Sequence, residues 1–315
     1  MRKIPLIIDC DPGIDDCYAI ALAHSNPNYE VVAITPVAGN VESEFTRYNS
    51  LCLREVFNMD TTKIAYGATK PLVKAYKPAP EEVHGKGGIG GIVLPKPTKL
   101  PEEKPAWDVI YEEAVKHNGE LVLIALGPLT NIALTLRKYP DLPKYLKQFI
   151  IMGGGTFGNM AASNKTAEFN IWVDPTAAKE VFEQLEVYMI GLDATHASYI
   201  EENEFKEMLE ITSTCNNKQT DFLHKLTQFS NMNSYGKGQD NNIIHDAVAI
   251  ASMDDYDVVE FKDCFVWVED KDVINAGQTF IDFNAEKTNC HFVTKVNRSK
   301  FAQIMIDMCK YYSEV

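Results

Sequence analysis

The sequence predicts an α/β protein: an open, mainly parallel (mixed) sheet flanked by helices. Three observations predict it. Short apolar runs of strand length alternate with longer helical stretches through the first two thirds of the chain. Strand-like runs then follow one another near the end, which predicts an antiparallel edge. No linker, repeat or low-complexity tract divides residues 1–315, so a single domain is expected.

The elements follow in order. Lys3–Asp9 reads as a buried strand, because Ile4, Leu6, Ile7 and Ile8 form a near-continuous apolar run. Pro12-Gly13 breaks it, and Asp15–Ser25 reads as a helix. Glu30–Pro36 is a second strand, Ser43–Phe57 a helix and Lys63–Tyr66 a third strand. Residues 71–105, rich in Pro and Gly, read as irregular, and such long connections usually carry function. Leu121–Leu126 is a strand, and Thr130 to about Tyr139 a helix. Phe149–Met152 is a strand ending in Gly153-Gly154-Gly155. Pro175–Leu185 is a helix with proline at its start, where a missing N–H costs nothing. Val187–Leu192 is a strand. Phe265–Glu269, Thr279–Phe283 and His291–Val296 are the strands of the edge, and the helix Lys300–Tyr312 closes the chain.

Composition removes several functions. With 30 basic and 44 acidic residues the net charge is −14, which disfavours nucleic acid and anionic membrane as partners. No apolar run approaches the ~18–20 residues that span a bilayer, and the N-terminus lacks a signal-peptide pattern, so a cytoplasmic location is the default expectation. The 7 cysteines include no C-x-x-C pair, which argues against a disulfide framework or a thiolate zinc site.

The acids are unevenly placed. Asp9, Asp11, Asp15 and Asp16 follow the first strand and open a helix. In open α/β sheets ligands bind beyond the carboxyl ends of strands. Four carboxylates there repel one another unless their pKa values rise or a cation intervenes, and oxygen-only ligands suit a hard cation such as Ca²⁺ or Mg²⁺. Favourable placement at a helix N-terminus explains Asp15 and Asp16 but not Asp9 and Asp11. The EF-hand pattern fails, because Gly13 and Ile14 stand where an acid or Asn and then a Gly are needed.

Asp9–Asp16 resembles the N-terminal signature of the inosine-uridine preferring nucleoside N-ribohydrolases. The resemblance runs the length of the chain. Val37-Ala38-Gly39-Asn40, His84-Gly85, Leu126-Gly127-Pro128-Leu129-Thr130-Asn131, Ala167-Glu168-Phe169-Asn170 with Asp174-Pro175, and Ile244-His245-Asp246 occur in the family's order. It implies the Rossmann-like nucleoside hydrolase fold, and Ca²⁺ held by Asp11, Asp16, Asp246 and the Leu126 carbonyl. It also implies hydrolysis of the N-glycosidic bond of ribonucleosides to ribose and free base. Asp11 would be the general base toward a water made more acidic by the cation. The ribose would be bound by Asp15, Asn40, Glu168 and Asn170, and the leaving base met by His84 and His245, with His245 the proton donor for purines. The family's Asn before the Ala-Glu-Phe-Asn run is here Ala162, so Asn159 or Asn164 is left to contact the 5′-hydroxyl, and Asn159 keeps the Gly-Asn pair. Nucleoside salvage by a homo-oligomer, dimer or tetramer, completes what the resemblance implies.

Two other functions fit the cluster. A Mg²⁺-dependent phosphohydrolase would use Asp9 or Asp11 as nucleophile, but Pro12-Gly13 and the distant His245-Asp246 depart from that pattern. A non-catalytic Ca²⁺-dependent nucleoside or ribose sensor would not need Asp11 and His245. Gly85–Gly90 matches G-x-G-x-x-G outside a strand–helix context and reads as a loop over the site. Gly153–Gly155 reads equally as a phosphate cradle or as close packing. Trp172 and Tyr235 read as base-stacking or core residues.

Overall fold

In the computed structural model, residues 3–158, 165–213, 217–239, 241–253 and 257–315 are described; Asn159 and the side chain of Tyr235 lie outside them. The chain runs β1 (Ile4–Cys10), α1 (Ile14–Ser25), β2 (Tyr29–Pro36), α2 (Ser43–Val56) and β3 (Lys63–Ile64). Next come α3 (Glu81–His84), α4 (Ala106–His117), β4 (Leu121–Ala125), α5 (Thr130–Lys138) and β5 (Leu146–Met152). Then follow α6 (Phe169–Val173), α7 (Pro175–Gln184), β6 (Val187–Ile190), α8 (Leu192–Ala197), α9 (Glu202–Ser213) and α10 (Lys218–Asn233). The chain ends with α11 (His245–Ala251), β7 (Val259–Val268), β8 (Thr279–Asp282), β9 (Cys290–Val296) and α12 (Arg298–Glu314).

The sheet has 9 strands in the order β3-β2-β1-β4-β5-β6-β9-β7-β8. From β3 to β9 neighbours are parallel; β7 pairs antiparallel with β9, and β8 with β7. The expected antiparallel edge is therefore present, joined to the parallel sheet through β9. One apolar core lies under α1, α11 and α12, and a second lies on the opposite face under α4, α5 and α7. The strands read as apolar runs because both faces are covered: Ile7 packs into one core, and Leu6 and Ile8 into the other. Among the described residues no helix is long and apolar enough to cross a membrane.

Several helices lack the apolar rhythm that would reveal them in sequence. The inner face of α10 carries Gln219, Thr220, Thr227 and Ser230 among its leucines. In α4 the buried stripe includes Glu113, whose carboxylate is bonded by Lys63 and Lys116 at 2.8 Å each. Leu192, expected to end a strand, instead opens α8 behind Gly191.

The strand order places β1 between β2 and β4, with crossovers leaving in opposite directions. The carboxyl ends of β1 and β4 meet there, at the topological switch point, where an open α/β sheet leaves a crevice for ligands.

Candidate active site

Asp9 and Asp11 leave β1 two residues apart, both fully buried, and meet different fates. Asp9 faces the sheet: its Oδ2 accepts from Thr35 Oγ1 (2.6 Å) and Asn131 Nδ2 (2.7 Å). Burial pushes its carboxyl up to about 7, against those two hydrogen bonds. This corrects the grouping of Asp9 with the ligand-facing acids. Asp9 ties β1 to β2 and α5 and does not line the cavity, although its Oδ1 too is buried without a hydrogen bond. The Asn131 of the Leu126–Asn131 motif is its partner.

Asp11, just past the end of β1, packs against the turns that follow β2 and β4. Its Oδ2 accepts the backbone N–H of Asn40 at 2.6 Å, and its Oδ1 is buried with no hydrogen-bond partner. A Cβ on Gly127 would lie 2.6 Å from Asp11 Oδ1, and one on Gly39 would collide with Oδ2. Those two motif glycines leave room for a carboxylate pressed against two backbone turns. Burial, then Asp16, holds the Asp11 carboxyl well above the usual range.

Asp16 does cap α1, accepting from Gly13 N (2.8 Å) and Asp11 N (3.2 Å), and it also accepts from Asn40 Nδ2 at 3.2 Å. Its carboxyl is pushed up to about 7 by burial and then by Asp15. Asp246, in the first turn of α11, is raised well above the ordinary value by burial, Asp15 and Asp16. Oxygens of Asp15, Asp16 and Asp246 lie within 4.8 Å of one another. Among the described residues no lysine or arginine forms an ion pair with any acid of this cluster, and Asp15 Oδ1, like Asp11 Oδ1, is buried without a hydrogen bond. Clustered carboxylates with orphaned oxygens and no neutralising cation of their own suit a hard divalent metal.

The sugar-side residues gather around them. Glu168 is buried, not a surface acid; its carboxylate caps α6 through Asn170 N (2.9 Å) and Ile171 N (3.1 Å) and also accepts from Gly154 N at 3.1 Å. Burial nevertheless pushes it up to about 7. Asn170 donates its amide to the carbonyls of Leu126 (2.7 Å) and Met152 (3.1 Å), which leaves one lone pair on the Leu126 oxygen. Gly154 and Gly155 are thus engaged with Glu168 and Thr279, which is close packing. Trp172 is buried beneath Lys74, whose ammonium sits 3.2 Å from the ring centroid, so it belongs to the core.

Both histidines reach the crevice. His84 ends α3, with Nδ1 accepting from Ile14 N (3.3 Å) and lying 3.7 Å from Asp15; burial lowers its pKa. His245 opens α11 with Nδ1 2.8 Å from Thr195 Oγ1, and burial drives its pKa down to about 4. At neutral pH His245 is therefore an uncharged ring, able to present one N–H rather than a ready imidazolium.

These residues open on a cavity of about 510 Å³. Asp15, Asn40, His84, Leu126, Glu168, Asn170, His245 and Asp246 line it; Asp11 and Asp16 are fully buried and bonded to the lining residue Asn40. The sequence reading missed the opposite wall: Phe229, Ser230, Asn233 and Ser234 at the end of α10, then Lys237, Gln239 and Asn241–Ile244. Its signal is the one-sided spacing of residues 230, 233, 234 and 237, three and four apart.

The fold and cavity define an α/β enzyme whose acidic centre, at the switch point of the sheet, suits a metal-dependent hydrolase. The family described as inosine-uridine preferring nucleoside hydrolase matches residues 6–303, and the chain belongs to it. The chain is 33% identical over 318 residues to the pyrimidine-specific ribonucleoside hydrolase RihA of Escherichia coli strain SMS-3-5, covering 98% of this chain and 99% of that one. It is 36% identical over 283 residues to the non-specific ribonucleoside hydrolase RihC of the same strain, covering 90% and 89%. The solved purine-preferring ribonucleoside hydrolase from Gardnerella vaginalis superposes with a TM-score of 0.86 at 28% identity, over 97% of this chain and 99% of that one. The protein is a ribonucleoside hydrolase, as the residue motifs led one to expect.

Proposed function

We propose that the protein hydrolyses the N-glycosidic bond of ribonucleosides in a Ca²⁺-dependent reaction, releasing ribose and the free base. The observation that carries this reading is Asp11: one carboxylate oxygen is fixed by Asn40, the other is buried without a partner, and its backbone N–H bonds Asp16. Asp11, Asp16, Asp246 and the Leu126 carbonyl would hold the cation, whose oxygen-rich shell of about 6–8 ligands leaves places for water and ribose hydroxyls. When bound, the cation supplies a lowered water pKa and a template for the sugar.

The residues of the chain do the rest. Asp11 accepts the proton of the attacking water as its oxygen bonds to C1′ and the C1′–N bond breaks. Asp15, Asn40, Glu168 and Asn170 bind the ribose hydroxyls, whose grip strengthens as the ring flattens toward an oxocarbenium-like transition state. His84 and His245 meet the leaving base. His245 Nδ1 pairs with the Thr195 hydroxyl; with that hydroxyl as the donor, His245 would carry its proton on Nε2 and offer it to the leaving base as a neutral donor. The resemblance extends the reading to nucleoside salvage by a homo-oligomer, dimer or tetramer, and the sequence pattern adds a single domain and, by default, a cytoplasmic location.

The test is ribose release from uridine and inosine, with and without a chelator. Release that stops on chelation and returns with Ca²⁺ supports the proposal. Turnover unaffected by thorough chelation contradicts it.

A further inference from the structure

Beyond the residues that face the cavity, the irregular segment between β3 and α3 makes contacts that the reaction does not yet use. Residues 72–80 form a strap across the crevice floor, fixed at both ends. At one end Leu72 N donates to Asp174 Oδ2 (2.8 Å), and Lys74 donates to the Trp172 carbonyl (2.5 Å) with its ammonium over the Trp172 ring. That end is tied to α6 and the cap of α7. At the other end the Tyr76 hydroxyl donates to the Gly39 carbonyl (3.1 Å), and Ala79 N donates to the Asn40 carbonyl (3.1 Å).

The Gly39–Asn40 turn is therefore held from both sides. From outside, Tyr76 and Ala79 grip its two carbonyls. On the inside, Asn40 N bonds Asp11 Oδ2, and the Asn40 amide bonds Asp16 Oδ2 and the Asp11 carbonyl. Within the turn, Gly39 N reaches only Val41 O, at 3.4 Å. Without the strap, little within the turn itself fixes the direction of the Asn40 N–H.

We propose that Tyr76 is a positioning residue: through the Gly39–Asn40 turn it aims the Asn40 N–H at Asp11, and so sets the Asp11 oxygen that faces metal and water. This rests on the proposed role of Asp11. Lys74 holds the far end of the strap and has a smaller share of the same role. A group bonded directly to a metal ligand, as the Asn40 N–H is, commonly carries about 10–100-fold in metal affinity or activity, and Tyr76, acting through the same peptide unit, falls at the low end of that range.

The experiment is a double-mutant cycle read by Ca²⁺ titration calorimetry, with kinetics alongside. Tyr76→Phe removes one hydroxyl and keeps the ring. It is expected to lower kcat about 10-fold and weaken Ca²⁺ binding by a similar factor, with KM within about twofold. On an Asp11→Ala background it is expected to weaken Ca²⁺ binding no further, because the effect passes through Asp11. Lys74→Met is expected to move both quantities in the same direction by less. The proposal is overturned if kcat and Ca²⁺ affinity of Tyr76→Phe stay within twofold of wild type, if the loss lies wholly in KM, or if the Ca²⁺ effect is additive with Asp11→Ala. The calorimetric cycle decides the role of Tyr76 even if wild-type protein cleaves no nucleoside, the outcome that would sink the proposed function.

Discussion

The floor and the far wall of the cavity are built on opposite principles. The floor comes from strand ends of the parallel sheet: Asp11 after β1, Asn40 after β2 and Leu126 after β4, joined by Asp16 and Asp246 from the first turns of α1 and α11. The Asp11 and Asp16 carboxylates are buried and fixed to backbone N–H groups at 2.6 to 3.2 Å. The wall comes from the end of α10 and the irregular chain after it, where Lys237 and Gln239 are exposed and Asn233 keeps a buried amide nitrogen without a partner. A fixed floor preserves one chemistry, and a polar wall on a helix end is free to vary. Similar chains are named pyrimidine-specific, non-specific and purine-preferring, so base preference differs among proteins of this degree of similarity.

The largest expected effect breaks the floor. Asp11→Ala removes both a base and a ligand, and kcat for every nucleoside is expected to fall by about 10³-fold or more, measured by ribose release. Next, Asn40→Ala removes the amide that donates to Asp16 Oδ2 and to the Asp11 carbonyl, leaves the backbone N–H on the Asp11 carboxylate in place, and is expected to weaken Ca²⁺ binding about 10-fold, read by calorimetry. The wall should respond differently. Phe229, packed on Gly85 and Gly90, joins α10 to the His84 loop. Phe229→Ala is expected to change the inosine-to-uridine ratio of kcat/KM by about 10-fold and leave Ca²⁺ affinity unchanged. An equal loss for all bases with weakened Ca²⁺ binding would erase the distinction between floor and wall.

The smallest effect concerns stability. Asp9, Asp16 and Glu168 are each raised to about 7 by burial. In the unfolded chain such groups titrate near 4, so the folded metal-free protein holds more protons between those values. Their contribution is fully present below about pH 4 and is lost as pH rises through about 7. Urea midpoints of metal-free protein should therefore carry a falling term across that window, and added Ca²⁺ should raise the midpoint most at its upper end.

The floor was legible in sequence because its residues sit in short motifs beside strongly apolar strands. Asp11 and Asp16 stood out because they follow a strongly apolar strand; Asn40, Glu168, Asn170, His245 and Asp246 were named from short motifs that resemble the family's, and these five line the cavity. Asp9 was misplaced because it still lies within β1 while Asp11 follows the strand's end, and its partners Thr35 and Asn131 are 26 and 122 residues away. The wall was illegible for another reason. The buried face of α10 is half polar, so no apolar rhythm announces the helix that carries Phe229 and Asn233. Tyr76 was hidden in a stretch without secondary structure, where its single hydrogen bond to Gly39 leaves no trace in spacing.

A crystal structure of the protein grown with Ca²⁺ and ribose tests the central claim most directly. The account predicts one cation bound by Asp11 Oδ1, Asp16, Asp246 and the Leu126 carbonyl, with the sugar hydroxyls beside Asp15, Asn40 and Asn170. An empty acidic cluster, or a cation held without Asp11, would contradict it.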